Sequence, residues 1–167
     1  MKKLNITLVA HDSRKKELAT WFKFNIDVLS QHNLFGTGTT AKILNEVIDE
    51  YIEENSITDD YDDFSVTQLL SGPLGGDQII GGMIAEGKID VLIFFCDNLI
   101  IQGHHQDVGT LVQLASLYNI AFATNRTTAD MILTSNLFAN EDYTPIIPKS
   151  IENYKNRKTL KYAYSFV

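Results

Sequence analysis

The run Val91-Leu92-Ile93-Phe94-Phe95 is apolar at every position. A strand with one wet face alternates apolar and polar side chains. A strand without alternation must be buried on both faces, as at the centre of a parallel sheet covered by helices. The rest of the chain fits around that requirement. Short apolar runs alternate with longer stretches of helical period, the pattern of a three-layer α/β sandwich with a mainly parallel central sheet. Strands are expected at Asn5–Ala10, Asn33–Phe35, Phe64–Leu70, Val91–Phe95 and Ile120–Ala123. A helix is expected over Ser13–Leu29, with Leu18, Trp21, Phe22 and Ile26 on one face, and another over Ala41–Glu54. Further helices are expected over Gln78–Glu86, Asp107–Tyr118, Thr127–Leu133 and Ser150–Leu160. The length of 167 residues suits one domain, 1–167, whose last part, 151–167, is a helix and tail.

Composition narrows the function. A net charge of −7 argues against nucleic-acid binding, which calls for a basic stripe. Any anion site must therefore be local, built from a few cations and backbone N–H groups. The single cysteine, Cys96, follows directly on the apolar strand and reads as a small buried hydrophobe. The opening Met1-Lys2-Lys3 leads into a stretch broken by Asn5 and Thr7, unlike a signal peptide, and no apolar run reaches membrane-spanning length. A cytoplasmic protein is expected. Asn55–Asp63 holds four aspartates without helical period and reads as a solvated acidic loop. Metal binding there lacks the ligand spacing and the glycine of an EF-hand, so no metal is expected.

Ligands of open parallel sheets bind beyond the carboxyl ends of the strands. Four successive strand ends in this chain deliver polar or glycine-rich sequence. The first brings His11 and Asp12, with Lys15 a turn later. The second brings Thr37-Gly38-Thr39-Thr40 at the opening of a helix. The third brings Ser71-Gly72 and Gly75-Gly76-Asp77. The fourth brings Asp97, His104 and Asp107. Glycine admits a ligand close to the backbone, and the free N–H groups of a helix start favour an anion. A threonine before a helix is more often a cap than a phosphate ligand. The conjunction of two such turns with Lys15 is what favours phosphate. The spacings of an ATP-binding P-loop and of a dinucleotide fingerprint are absent. Asp77, after two glycines at a helix start, reads either as a carboxylate satisfying the helix dipole or as a general base. His104 could donate to a developing oxyanion. His105 reads as structural and His32 as a surface residue.

These segments carry a resemblance. Val9-Ala10-His11-Asp12, Thr37-Gly38-Thr39-Thr40, Leu70-Ser71-Gly72-Pro73-Leu74-Gly75-Gly76-Asp77-Gln78, Gly87 to Phe95, and Ala123-Thr124-Asn125 with Thr128-Ala129-Asp130 resemble the methylglyoxal synthase family. The likeness extends to about Arg157. It implies a flavodoxin-like fold and conversion of dihydroxyacetone phosphate to methylglyoxal and inorganic phosphate, with no metal or organic cofactor. It also implies homohexamers inhibited by phosphate. By the same resemblance Asp77 is the proton donor and acceptor, with His104 and Asp107 beside it as catalytic residues. His11, Lys15, Thr37, Gly38, Thr39, Thr40, Ser71 and Gly72 bind substrate. Asp12 and Asp97 support the site, and Arg157 reaches a neighbouring subunit. The chain departs from the family pattern in a longer segment from Ala41 to Leu70, in Gln113 where an arginine is expected, and in Asn98 where a proline is. Two other readings use the same residues. One is a regulatory domain of this fold that binds small effectors, as in carbamoyl phosphate synthetases. The other is a triose isomerase-like enzyme, which would release no phosphate.

Overall fold

The structure is a computed structural model, in which residues 1–57, 61, 63–97, 99 and 105–157 are described, the side chains of 105–107 excepted. Five parallel strands form one sheet: β1 (Asn5–Ala10), β2 (Asn33–Thr37), β3 (Val66–Leu69), β4 (Val91–Phe95) and β5 (Ala121–Ala123). Their order is β3-β2-β1-β4-β5. The chain therefore winds outward from β1 in one direction, then returns to lay β4 on its other side, so the winding reverses between β1 and β4. The β1–β4 register runs from Ile6 opposite Val91 to Ala10 opposite Phe95.

Strand alternation sorts the core into two layers. Ile6, Leu8 and Ala10 of β1, with Ile93 and Phe95 of β4, pack against Trp21 and Phe22 of α1 (Lys15–Phe24), Leu44 and Ile48 of α3 (Gly38–Asn55), and Ala129 of α6 (Arg126–Leu133). Val9, Leu92 and Phe94 face the other way, onto Ile80 and Ile84 of α4 (Gly76–Ala85) and Leu111 of α5 (His105–Tyr118). The expected burial of β4 on both faces is thus observed, and all five of its residues are buried. Among the described residues no helix is long and apolar enough to cross a membrane.

Several expectations are corrected. The helix expected over Ser13–Leu29 is three pieces: a 3-10 turn at Asp12–Arg14, α1, and a short α2 (Ile26–Leu29). The break is Asn25, whose backbone leaves helical geometry (φ −108°, ψ 14°) while its amide donates to Trp21 O at 2.8 Å. Such a side chain offers the backbone a local alternative to the helix. α3 and α4 begin on glycine, earlier than expected. The final helix, α7, covers Lys149–Lys155; the expected end at Leu160 lies outside the described residues.

His32 is not a surface residue. It is 4% exposed, accepts from Leu4 N through Nδ1 and meets the Phe138 ring edge-on. The acidic loop is anchored rather than wholly solvated. Tyr61 packs on the core, and its hydroxyl, together with that of Tyr51, donates to Asp27. Asp59, Asp60 and Asp62 lie outside the described residues. Cys96 is half-buried, and burial pushes its thiol up to about 11, as suits the packing role expected of it.

Candidate active site

The carboxyl ends of β1, β2 and β3 meet around a cavity of about 230 Å³. At the first of them, His11 extends the β1–β4 ladder by one residue, its N–H donating to Phe95 O at 3.2 Å. Its ring stands edge-on to Phe94, and Nδ1 accepts from Asp97 N at 2.7 Å. The chain then turns through Asp12–Arg14 into α1, which brings Lys15 back over the strand ends. Lys15 Nζ donates to Asp12 Oδ1 and, at 2.8 Å, to Thr39 Oγ1. The hydrogen bond and charge of Lys15 hold the Asp12 carboxyl below the usual carboxylate range.

β2 runs straight into α3. Thr37 is the N-cap residue, but its side chain makes no capping bond to the first-turn N–H groups. Thr37, Gly38 and Thr40 are buried, while Thr39 is exposed. Gly38 is needed for close approach: a Cβ there would lie 2.7 Å from Ser71 Cβ and 2.9 Å from Ser71 Cα. The tips of β2 and β3 can meet only because that atom is missing.

After β3, Ser71 opens a 3-10 turn (Gly72–Leu74), and Gly75 reverses the backbone at φ +99° into α4. The left-handed conformation is one that glycine adopts without steric cost. Gly76 N donates to Ser71 O at 3.0 Å, so α4 begins pressed against the end of β3. This fold-back places Asp77 in the first turn of α4, above Gly72. A Cβ on Gly72 would come within 2.9 Å of Asp77 Oδ2. The N-cap of α4 is Gly75, which has no side chain to cap with. Two helix starts therefore converge on one cleft, where their dipoles favour an anion.

The structure brings together most of the residues singled out from sequence. His11, Asp12, Lys15, Thr37, Thr39, Thr40, Ser71, Gly72 and Asp77 all line the cleft. Gly38 lies against Ser71 of the lining, and Asp97 reaches the cleft through His11. Arg157 does not join them; its guanidinium lies 3.8 Å over the ring of Tyr154. His104 and Asn98 lie outside the described residues, as does the side chain of Asp107, whose backbone is in the first turn of α5. Gln113 is exposed on α5. Sequence reasoning missed Ser13, whose Oγ donates to Asp97 Oδ2 at 2.6 Å. It also missed Pro73, Phe94 and Val108, which with Val9 and Ala10 supply the apolar part of the lining. Ser13 is adjacent to Asp12 in a strand-end turn, and that position was the available signal.

Fold and cleft together define a class: an α/β protein with a ligand site at the carboxyl edge of a parallel sheet, here furnished with hydroxyls, one lysine and a poised carboxylate. Comparison with known proteins narrows the class. A family model described as an MGS-like domain matches residues 17–124. The chain is 48% identical over 137 residues to the methylglyoxal synthase of Maridesulfovibrio salexigens, covering 82% of this chain and 87% of that protein. With the methylglyoxal synthase of Proteus mirabilis it shares 48% identity over 137 residues, covering 82% and 81%. The crystal structure of methylglyoxal synthase from Elizabethkingia anophelis superposes with a TM-score of 0.79 at 36% identity, covering 95% of this chain and 94% of that one. The chain belongs to the methylglyoxal synthase family and has its flavodoxin-like fold.

Proposed function

We propose that the chain converts dihydroxyacetone phosphate to methylglyoxal and orthophosphate, with Asp77 as the base. The observation that carries this reading is the placement of Asp77 over Gly72, in the same cleft as the Lys15–Thr39 pair. Lys15, the threonine and serine hydroxyls and the two helix starts hold the phosphate. Asp77 takes a proton from the hydroxymethyl carbon next to the ketone. Donors from His11 and His104 stabilise the enediolate oxygen, and Asp107 serves as a further catalytic residue. The electron pair then moves through the carbon skeleton and the bond from carbon to phosphate oxygen breaks. The resulting enol aldehyde takes a proton at its terminal carbon to give methylglyoxal. The steps use groups of this chain alone.

A positioned base contributes about 10²–10⁴-fold and one oxyanion donor about 10²–10³-fold. Neither reaches the roughly 10⁶-fold at the low end of enzymatic acceleration, so both are needed, together with positioning. Elimination rather than isomerisation follows if the carbon–oxygen bond to phosphate stands perpendicular to the enediolate plane, where its antibonding orbital overlaps the π system. Gripping the phosphate from two strand-end turns is a way to hold that angle.

The reading extends to a cytoplasmic homohexamer, with Arg157 reaching a neighbouring subunit, and to inhibition by orthophosphate, which would compete for the same grip. Exposed Leu70, Leu74 and Ile79 beside the cleft support an assembly. The test is incubation with dihydroxyacetone phosphate while methylglyoxal and orthophosphate are measured together. Both should appear in equal amounts. Asp77→Asn should lower the rate by about 10²–10⁴-fold while orthophosphate still binds; retained turnover would remove Asp77 from the mechanism. Binding of orthophosphate with no turnover in the unaltered protein would favour a regulatory domain instead.

A further inference from the structure

We infer that Ser13 is a positioning residue: through Asp97 it holds His11 as an Nε2–H donor at the cleft. The inference rests on the proposed reaction for its kinetic consequence but not for its structural one. Asp97 N donates to His11 Nδ1 at 2.7 Å. A ring nitrogen that accepts a hydrogen bond carries no hydrogen, so a neutral His11 must bear its proton on Nε2. A proton on Nδ1 would set N–H against N–H and deprive the Asp97 amide of its acceptor.

The aim of that amide depends on how residue 97 is held. Asp97 lies two residues past β4. Cys96 N, just before it, donates to Thr124 O at 3.1 Å, fixing the chain on one side. On the other side the Asp97 carboxylate is held at both oxygens. Oδ2 accepts from Ser13 Oγ at 2.6 Å, and Oδ1 accepts from Leu99 N at 3.0 Å. Ser13 stands in the turn after β1, between Asp12 and the rest of the Lys15 approach, and is 84 residues from Asp97. The bond therefore ties the loop after β1 to the loop after β4, across the reversal point of the sheet. A hydroxyl on a carboxylate is a charge-assisted bond, stronger than its neutral counterpart. Ser13 touches Asp97 alone in this chain of contacts, and acts on His11 only through it.

The test uses the whole protein with ¹⁵N-labelled histidine, and compares the unaltered chain with Ser13→Ala and Ser13→Thr. Long-range ¹H–¹⁵N spectra near neutral pH should show His11 as the Nε2–H tautomer in the unaltered chain. In Ser13→Ala the His11 nitrogens should move toward the averaged values of mixed tautomers, with kcat/KM lower by about tenfold, the loss expected for one charge-assisted bond. Ser13→Thr, which keeps the hydroxyl, should restore both. Ser13 is exposed, so loss of the fold is not a competing outcome. A His11 that carries its proton on Nδ1 in the unaltered chain overturns the inference. So does a Ser13→Ala protein whose His11 signals stay unchanged, whatever its activity. If the unaltered chain forms no methylglyoxal, the spectra decide alone.

Discussion

The molecule has a cavity at each end of its sheet, and the larger one is not the one with chemistry in it. At the amino ends of the strands a space of about 260 Å³ lies among Leu4, Val91, Ile120 and Phe138, with a few polar groups at its rim. At the carboxyl ends the cleft is about 230 Å³. The difference lies in what the polar groups are already doing. At the amino end they serve the fold: Lys2 N donates to Ala139 O, Asn5 N to Asp90 Oδ2, and the Asn119 amide to Ile146 O. At the carboxyl end two helix starts meet whose N-cap residues make no side-chain capping bond, a lysine bridges two turns, and glycines stand where any Cβ would collide. Size and apolarity describe a cavity. Convergent donors brought close by missing side chains describe a site.

The comparison breaks most easily at Gly76. A Cβ there would fall inside the van der Waals surface of the Leu70 carbonyl oxygen and within 3.0 Å of Ser71 C. Those are backbone atoms that cannot swing aside. Gly76→Ala should cost on the order of 3 kcal/mol, the upper part of the overpacking range, and should move Asp77 enough to abolish turnover. Leu137→Ala, at the rim of the amino-end cavity and about half exposed, should cost under about 1 kcal/mol with unchanged turnover. Chemical denaturation and a turnover assay on both variants measure the contrast. A Gly76→Ala protein as stable and active as the unaltered chain would show that the close approach is incidental.

A smaller effect separates the two ends by charge. Lys15→Ala removes the bridge between Asp12 and Thr39 and should weaken orthophosphate binding by about tenfold to a hundredfold, the range for charge-assisted bonds. Lys2→Ala, at the other end, should leave it unchanged. Titration calorimetry with inorganic phosphate reads both. Equal affinities in the two variants would place the anion elsewhere.

Much of this was legible before any coordinates. β1 and β4 fall where expected: Val91–Phe95 is apolar throughout, as a strand buried on both faces must be, and its five-residue length suits a strand better than a helix. The residues of three strand ends were legible too, since the sheet topology fixes where they gather. Ser13 and Asn25 were not. Each acts through one hydrogen bond whose partner is set by tertiary structure or by competition with the helix, and no periodicity reports that. His32 was misread for a related reason. A histidine between a helix and a strand looks like a loop residue until the Phe138 ring and the Leu4 amide close over it.

That burial gives the amino end a pH dependence of its own. Burial pushes the His32 imidazole below its ordinary value, Lys3 pushes the same way, and Asp90 opposes them. The reason is visible in the ring's partners. Nδ1 is already occupied by the Leu4 amide hydrogen, and Nε2 is buried with no hydrogen-bond partner among the described residues. A charged ring would present a second N–H to the Leu4 donor. The folded protein therefore resists a proton that the unfolded chain accepts near the ordinary histidine value of 6.5. Below that pH the unfolded state binds more protons, so stability is fully present above about 6.5 and declines as pH falls toward the lowered folded value, then levels off. His32→Asn keeps an oxygen acceptor for Leu4 N but does not titrate. Its melting temperature should fall less between pH 7.5 and 5.5 than that of the unaltered chain, whatever its absolute stability. Parallel declines in the two proteins would assign the acid sensitivity to groups other than His32.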